Sequence, residues 1–186
     1  MMKGLPFCLL MVFGFGSAVR AGYSFEEVAV EYWAGQGANR AMVVVDFADD
    51  LSFAFGYQWE GEKTSYDALL AIDACSADFT MLSHWDDSLG GWFVDDLDYL
   101  GVSPRGSSWS FFTASDGQDW QSSWLGASER VLSDGDWDGW AGGEWVWVGP
   151  GAWDWAFTGT VHTPIPEPAS IGLLGLMSVL VVRKGR

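Results

Sequence analysis

The run Asp134-Gly135-Asp136-Trp137-Asp138-Gly139 places carboxylates at positions 1, 3 and 5 of a loop and glycine at position 6. Calcium loops begin with this spacing, because a hard cation gathers several oxygen ligands around one tight turn. Position 12, where a bidentate glutamate closes such a loop, is Trp145, and Glu144 falls one residue early. The same residues also suit an acidic turn whose Asp side chains bond nearby backbone N–H groups. Both outcomes stay open for Asp134, Asp136, Asp138 and Glu144, with Ca2+ as the cofactor in the first.

Asp86-Asp87 and Asp95-Asp96-x-Asp98 offer neighbouring carboxylates of the kind that hydrolyse glycosidic bonds. In a chain this acidic they also suit solvated loops. His84, His162 and a single domain cysteine, Cys75, do not make up a zinc set. No Gly-x-Ser-x-Gly elbow occurs, and Gly35 and Gly37 are only a fragment of a dinucleotide-binding glycine pattern. No catalytic residue is assigned, and the expectation is a non-enzymatic domain.

Tryptophan is the other chemical resource. In Glu144-Trp-Val-Trp-Val148 and Trp153-Asp-Trp-Ala-Phe157, alternation puts Trp145 and Trp147 on one face, and likewise Trp153 and Trp155. If the two segments pair across Gly149–Ala152, the four indoles can form a cross-strand ladder. Turned inward the ladder is core; turned outward it is a platform on which sugar rings can stack.

The elements that must hold these groups follow from periodicity. Ser24–Tyr32 and Ala41–Phe47 read as strands around a glycine-rich hairpin loop, Trp33–Arg40. Leu51–Trp59 alternates, with Phe53, Phe55, Tyr57 and Trp59 on one face. Thr64 or Ser65 can cap a helix over Tyr66–Ala74, with Asp67 in its first turn. Short strands are expected at 79–82, 91–94, 98–102 and 109–113. The fold class is therefore α+β: a mostly antiparallel sheet with one main helix.

Residues 22–163 carry Arg40, Lys63, Arg105 and Arg130 against 24 carboxylates, a balance of −20, while the whole chain is −16. Nucleic-acid binding relies on Lys and Arg at phosphates, so such a partner is excluded. All 13 Trp lie in this region, enough apolar surface for a folded core. Cys75 has no internal disulfide partner once the N-terminal segment is removed, and a buried, inert thiol is expected.

The two ends read as addresses. Residues 1–21 combine Lys3, an apolar run from Leu5 to Phe15 and a small-residue cleavage context ending at Ala21, as a secretory signal does. Residues 164–186 begin with a proline-stiffened stretch and continue as an uncharged run, Ala169–Val182, closed by Arg183, Lys184 and Arg186. As a helix that run covers roughly 21 Å of a hydrocarbon core about 30 Å thick, short for a permanent anchor. Pro166-Glu167-Pro168 with its apolar run and basic end closely resembles the PEP-CTERM sorting signal. The resemblance implies export through the translocon in a Gram-negative bacterium and brief inner-membrane residence by a C-terminal transmembrane helix. It further implies recognition by an exosortase-type membrane protease, then delivery to the cell surface or an exopolysaccharide matrix.

The middle region has a fainter likeness. A "Thr-x-x-Asp-Ala-Leu" helix, Trp109-Ser-Phe-Phe112 and Asp134-Gly-Asp136 together resemble the β-grasp-like C-terminal domain of transcobalamin and intrinsic factor, also found in bacterial surface proteins. Asp116-Gly117 stands where that family has an Asn-Gly loop. The likeness implies a β-grasp-like fold and, more distantly, a cobalamin-type ligand. Taken together, the expected protein is an exported, acidic, tryptophan-rich surface or matrix module, binding exopolysaccharide or serving as a calcium-stabilised structural element.

Overall fold

The computed structural model describes residues 22–48, 51–102, 104, 106–149 and 155–166. The signal cleavage residue Ala21, most of the sorting motif (Glu167 and Pro168), the apolar run and the basic end at Arg183, Lys184 and Arg186 lie outside the described residues. No helix among the described residues is long and apolar enough to cross a membrane.

The fold is α+β, mostly sheet with one α-helix among the described residues. Its strands are β1 (Val30–Gly35), β2 (Asn39–Ala48), β3 (Leu51–Trp59), β4 (Phe79–Asp86), β5 (Gly91–Tyr99), β6 (Ser108–Ala114), β7 (Gln121–Ser122), β8 (Trp137–Gly143), β9 (Trp145–Trp147) and β10 (Trp155–Phe157); helix α1 spans Ser65–Cys75. The main sheet runs β1-β3-β2-β8-β6-β7, while β4–β5 and β9–β10 form two separate antiparallel pairs. Within the main sheet β1–β3 and β2–β8 are parallel and the remaining pairs antiparallel.

Strand β2 sits in the middle of the sheet, and its Ala-Met-Val-Val-Val run is buried on both faces. Ala41, Val43, Val45 and Phe47 join the larger core with Phe55, Tyr57 and Trp59 of β3, Leu69 and Ile72 of α1, and Phe79, Leu97 and Tyr99 of the β4–β5 hairpin. Met42 and Val44 face the other way, onto a smaller core with Val28, Trp137, Ala141 and Val161. A continuous rather than alternating apolar run is what a strand covered on both sides requires.

Helix α1 starts where the sequence indicates. Thr64 Oγ1 accepts from the Asp67 amide while the Asp67 carboxylate accepts from the Thr64 amide, a reciprocal capping box. Such a cap contributes about 1 kcal/mol.

Two expectations fail at the N-terminal side. Ser24–Tyr32 is not one strand: Phe25–Glu27 makes a 3₁₀ turn, capped by Ser24 and Glu27, and strand structure begins only at Val30. Trp33–Arg40 is not a hairpin loop, since β3 lies between β1 and β2. The connection instead passes over the end of β3. A Cβ on Gly37 would sit 2.0 Å from the Trp59 carbonyl oxygen, and φ is +152° there, so both space and backbone demand glycine.

The chain ends by covering the second face. Residues 158–166 run back along β8, where Val161 packs beside Gly139. A Cβ on Gly139 would meet the Trp120 ring at 2.7 Å and Val161 Cγ2 at 2.9 Å, so the close approach of this cover depends on that glycine. The His162 amide and Nδ1 both reach Asp46 Oδ2, at 2.8 and 2.7 Å. The Pro164 carbonyl accepts from the Ala29 amide, and Thr163 donates to the Gly117 carbonyl. Tyr23, at the other end of the described domain, donates its amide to the neighbouring Asp116 carbonyl.

Candidate functional site: an aromatic groove beside the β4–β5 hairpin

The acidic loop is the first site to place. Gly135 has φ +91°, and the turn around it docks against the start of β2. Asp134 Oδ1 accepts from the Arg40 amide at 2.8 Å, and Asp136 Oδ2 accepts from the Ser133 amide at 2.8 Å. Asp138 lies beyond the turn, inside β8, and is 1% exposed. Arg130 Nε donates to its Oδ1 at 2.7 Å, while Arg130 Nη2 lies 3.1 Å from Asp136. Burial pushes the Asp138 carboxyl up, with Arg130 pulling the other way. The Ser65 hydroxyl also lowers it, although neither Ser65 Oγ nor Asp138 Oδ2 completes a well-formed hydrogen bond.

The calcium-loop expectation does not find its geometry here. Asp134 and Asp136 serve the turn, Asp138 is committed to Arg130, and Glu144 lies six residues further along the chain, roughly 20 Å away at strand rise. Among the described residues no group of three or more His, Cys, Asp or Glu side chains is gathered for a metal.

The Asp clusters near the hairpin are also separated. Asp86 caps the hairpin turn, accepting from Ser88 and Leu89, which holds its carboxyl below the ordinary value. Asp95 binds His84 Nδ1 at 2.8 Å, Asp96 accepts from Trp109 Nε1 at 3.0 Å, and Asp98 accepts from the Gly101 amide. Each carboxylate serves a neighbour, and no facing acid pair results.

The tryptophan ladder is partly formed. Strands β9 and β10 pair antiparallel, with Trp155 opposite Trp147 and Phe157 opposite Trp145. Trp145 thus contacts Phe157, at 5.3 Å between ring centres, where a four-indole ladder would require another Trp. Trp153 and the Trp155 side chain lie outside what the structure describes. Trp145 and Trp147 are 51% and 53% exposed. The expected buried thiol is also corrected: Cys75, at the end of α1, is exposed.

The concave aromatic surface lies elsewhere, and the sequence reading did not single it out. The tip of the β4–β5 hairpin faces the segment 123–129, and between them is a groove of about 460 Å³. It continues into a smaller cleft of about 150 Å³ between β5 and β6 that ends on Trp109, Phe111 and Trp140. Trp92 and Phe93 line both. Trp92 is 42% exposed, and Trp124, on the opposite wall, is fully exposed.

The hairpin side of the groove is held in place, while Trp124 projects into solvent. Trp92 stacks on Tyr66 of α1, 5.5 Å apart and 7° from parallel, and Trp85 meets Trp92 edge-on at 5.9 Å. Trp85 Nε1 is fixed to Asp87 at 2.9 Å, and the Trp92 amide donates to Ser128 Oγ at 3.1 Å. The polar lining consists of Ser88, Ser123, Ser128 and Glu129, with no Lys or Arg. Large rings with one face open, fixed by a second layer and edged with hydroxyls, are suited to stacking a ring-shaped polar ligand.

A cross-strand cue was present in sequence: Trp85 and Trp92 flank the turn at Asp86–Gly91. Trp124 carried no comparable signal, because only the tertiary path of 123–129 brings it to the hairpin.

No protein-family model matches the chain, and no curated protein matches it.

Proposed function

We propose that this chain is an exported cell-surface or extracellular-matrix protein whose domain is a non-enzymatic binding module for exopolysaccharide. The observation that carries the binding role is the groove between the β4–β5 hairpin and segment 123–129, with Trp92 and Trp124 exposed on its two sides. Exposed aromatic rings grouped in a concave surface, one of them held by stacking on Tyr66, are a recurrent mark of a ligand site, and flat faces edged by hydroxyls match the alternating apolar and polar faces of sugars. Export rests on the secretory character of residues 1–21. Sorting rests on the PEP-CTERM-like tail, which makes the translocon and an exosortase-type protease its transient partners. The acidic surface suits a hydrated extracellular matrix and disfavours an anionic lipid surface.

A second reading is a cobalamin-type ligand. What supports it is the parallel β2–β8 pair in mid-sheet with α1 across one face, in keeping with a β-grasp-like arrangement. Visible absorbance copurifying with the protein would favour it.

The binding reading is tested by titrating a panel of matrix oligosaccharides into the full chain in mild detergent and following Trp emission. At least one glycan is expected to quench or shift the emission, and the change is expected to vanish in Trp124→Ala. An unchanged spectrum across the panel would remove the reading.

A further inference from the structure

The electrostatics of the groove narrow the glycan, on the premise that the groove is the glycan site. Glu129 lines it, is exposed, and its carboxylate has no hydrogen bond or ion pair among the described residues. Asp87, next to the groove-lining Ser88 in the chain, is exposed and accepts the Trp85 indole hydrogen bond. No Lys or Arg among the described residues lines the groove or pairs with either carboxylate. Among the described residues Arg40 pairs with Glu26, Lys63 with Asp67, and Arg130 with Asp136 and Asp138. His84, whose ring leans on Phe93 at 5.6 Å, is itself bonded to Asp95.

We infer that the groove takes a glycan bearing protonated amines, a polymer of amino sugars without N-acetyl groups. Three features converge on a cationic ligand. Indole faces attract cations through the ring quadrupole, Trp more strongly than other aromatics, and Trp92 and Trp124 supply two of them in the groove. The unpartnered Glu129 carboxylate gives an ammonium a charge-assisted acceptor. The excess of 20 negative charges over residues 22–163 draws a polycation towards the domain at long range. A uronate or sulfated polymer would meet no counter-ion among the groove's described lining residues and would be repelled by Glu129. A neutral sugar could still stack but would leave Glu129 unpaired.

The test uses three oligosaccharides of equal length: a glucosamine oligomer, its fully N-acetylated counterpart and a uronic-acid oligomer. Each is titrated into the full chain in mild detergent, at low salt and a pH where the amines are protonated. The glucosamine oligomer is expected to bind roughly tenfold more tightly than the N-acetylated one, the scale of one favourable cation contact. Glu129→Gln is expected to bring the two close together without weakening the N-acetylated ligand, and Trp124→Ala to weaken both. Equal affinities, or tighter binding of the uronate, would overturn the amine preference while leaving a glycan site in place. A preference unchanged by Glu129→Gln would trace it to net charge rather than the groove and overturn it equally. If none of the three binds, the glycan reading itself falls, and this inference with it.

Discussion

Glu129 and Arg130 are consecutive residues with opposite assignments. Arg130 turns inward and pairs with Asp138 within the sheet, whereas Glu129 turns outward into an aromatic groove whose lining, among the described residues, holds no Lys or Arg. The same contrast runs through the indoles: Trp140 is 5% exposed and stacks on Phe111 at 4.8 Å, while Trp124 stands free in solvent. Each inner member is enclosed by the protein, although Trp140 Nε1 finds no hydrogen-bond partner there, and each outer one faces solvent. At the groove, an unpaired carboxylate and exposed indoles lie side by side, whereas the exposed indoles of β9 have no such groove beside them among the described residues.

The inner half of the comparison breaks most dramatically at Arg130. Arg130→Met leaves Asp138 buried without its partner, and the loss of stability is expected to be about 3–5 kcal/mol, read as a thermal midpoint lower by ten degrees or more. Burial raises the Asp138 carboxyl above its unfolded value, so the folded state holds a proton there more readily than the unfolded chain. That contribution is fully present below the ordinary carboxylate value and is lost as pH rises through the raised one. The deficit of Arg130→Met is accordingly expected to shrink as the melt is repeated at lower pH. A deficit that grows on acidification would contradict the burial argument.

Next comes the pair of indoles. Trp140→Ala is expected to cost about 3–5 kcal/mol, and Trp124→Ala less than about 0.5 kcal/mol, in denaturant titrations of the two variants. Similar losses would mean that Trp124 packs against the domain in solution and that the outer wall of the groove is closed.

The smallest effect sharpens the outer half. The hydrogen bond to Asp95 raises His84 above the ordinary histidine value, so the attraction between them is present below that value and fades as pH climbs through the raised one. An NMR titration of His84 is expected to show the upward displacement, and Asp95→Asn to abolish it.

Much of the framework was legible in the sequence because it is written locally. The period of two in Phe53, Phe55, Tyr57 and Trp59 marks a strand with one face on the main core, and Thr64 with Asp67 writes its own cap. What could not be read is decided at a distance. Strand β1 runs parallel to β3 rather than hairpinning with β2, and parallel pairing leaves no mark in the connecting loop. Asp138 fits a calcium pattern until Arg130 and the β2–β8 pairing draw it into the sheet. Tryptophan-rich β9 was conspicuous by composition, while the groove needed Trp92 and Trp124, far apart in sequence, to meet. Exposure of an indole is a property of its neighbours, and the sequence names those neighbours only where they are close along the chain.

The docking of residues 158–166 also fixes where the two described ends of the domain lie. Tyr23 and Thr163 are both tied to the Asp116–Gly117 loop, so the chain enters and leaves the domain at nearly one point. That point belongs to the face carrying the smaller core; the groove opens on the side of the helix and the hairpin. The two described ends therefore leave the domain together, on the face away from the tryptophan groove, and segments joined to them need not cross it.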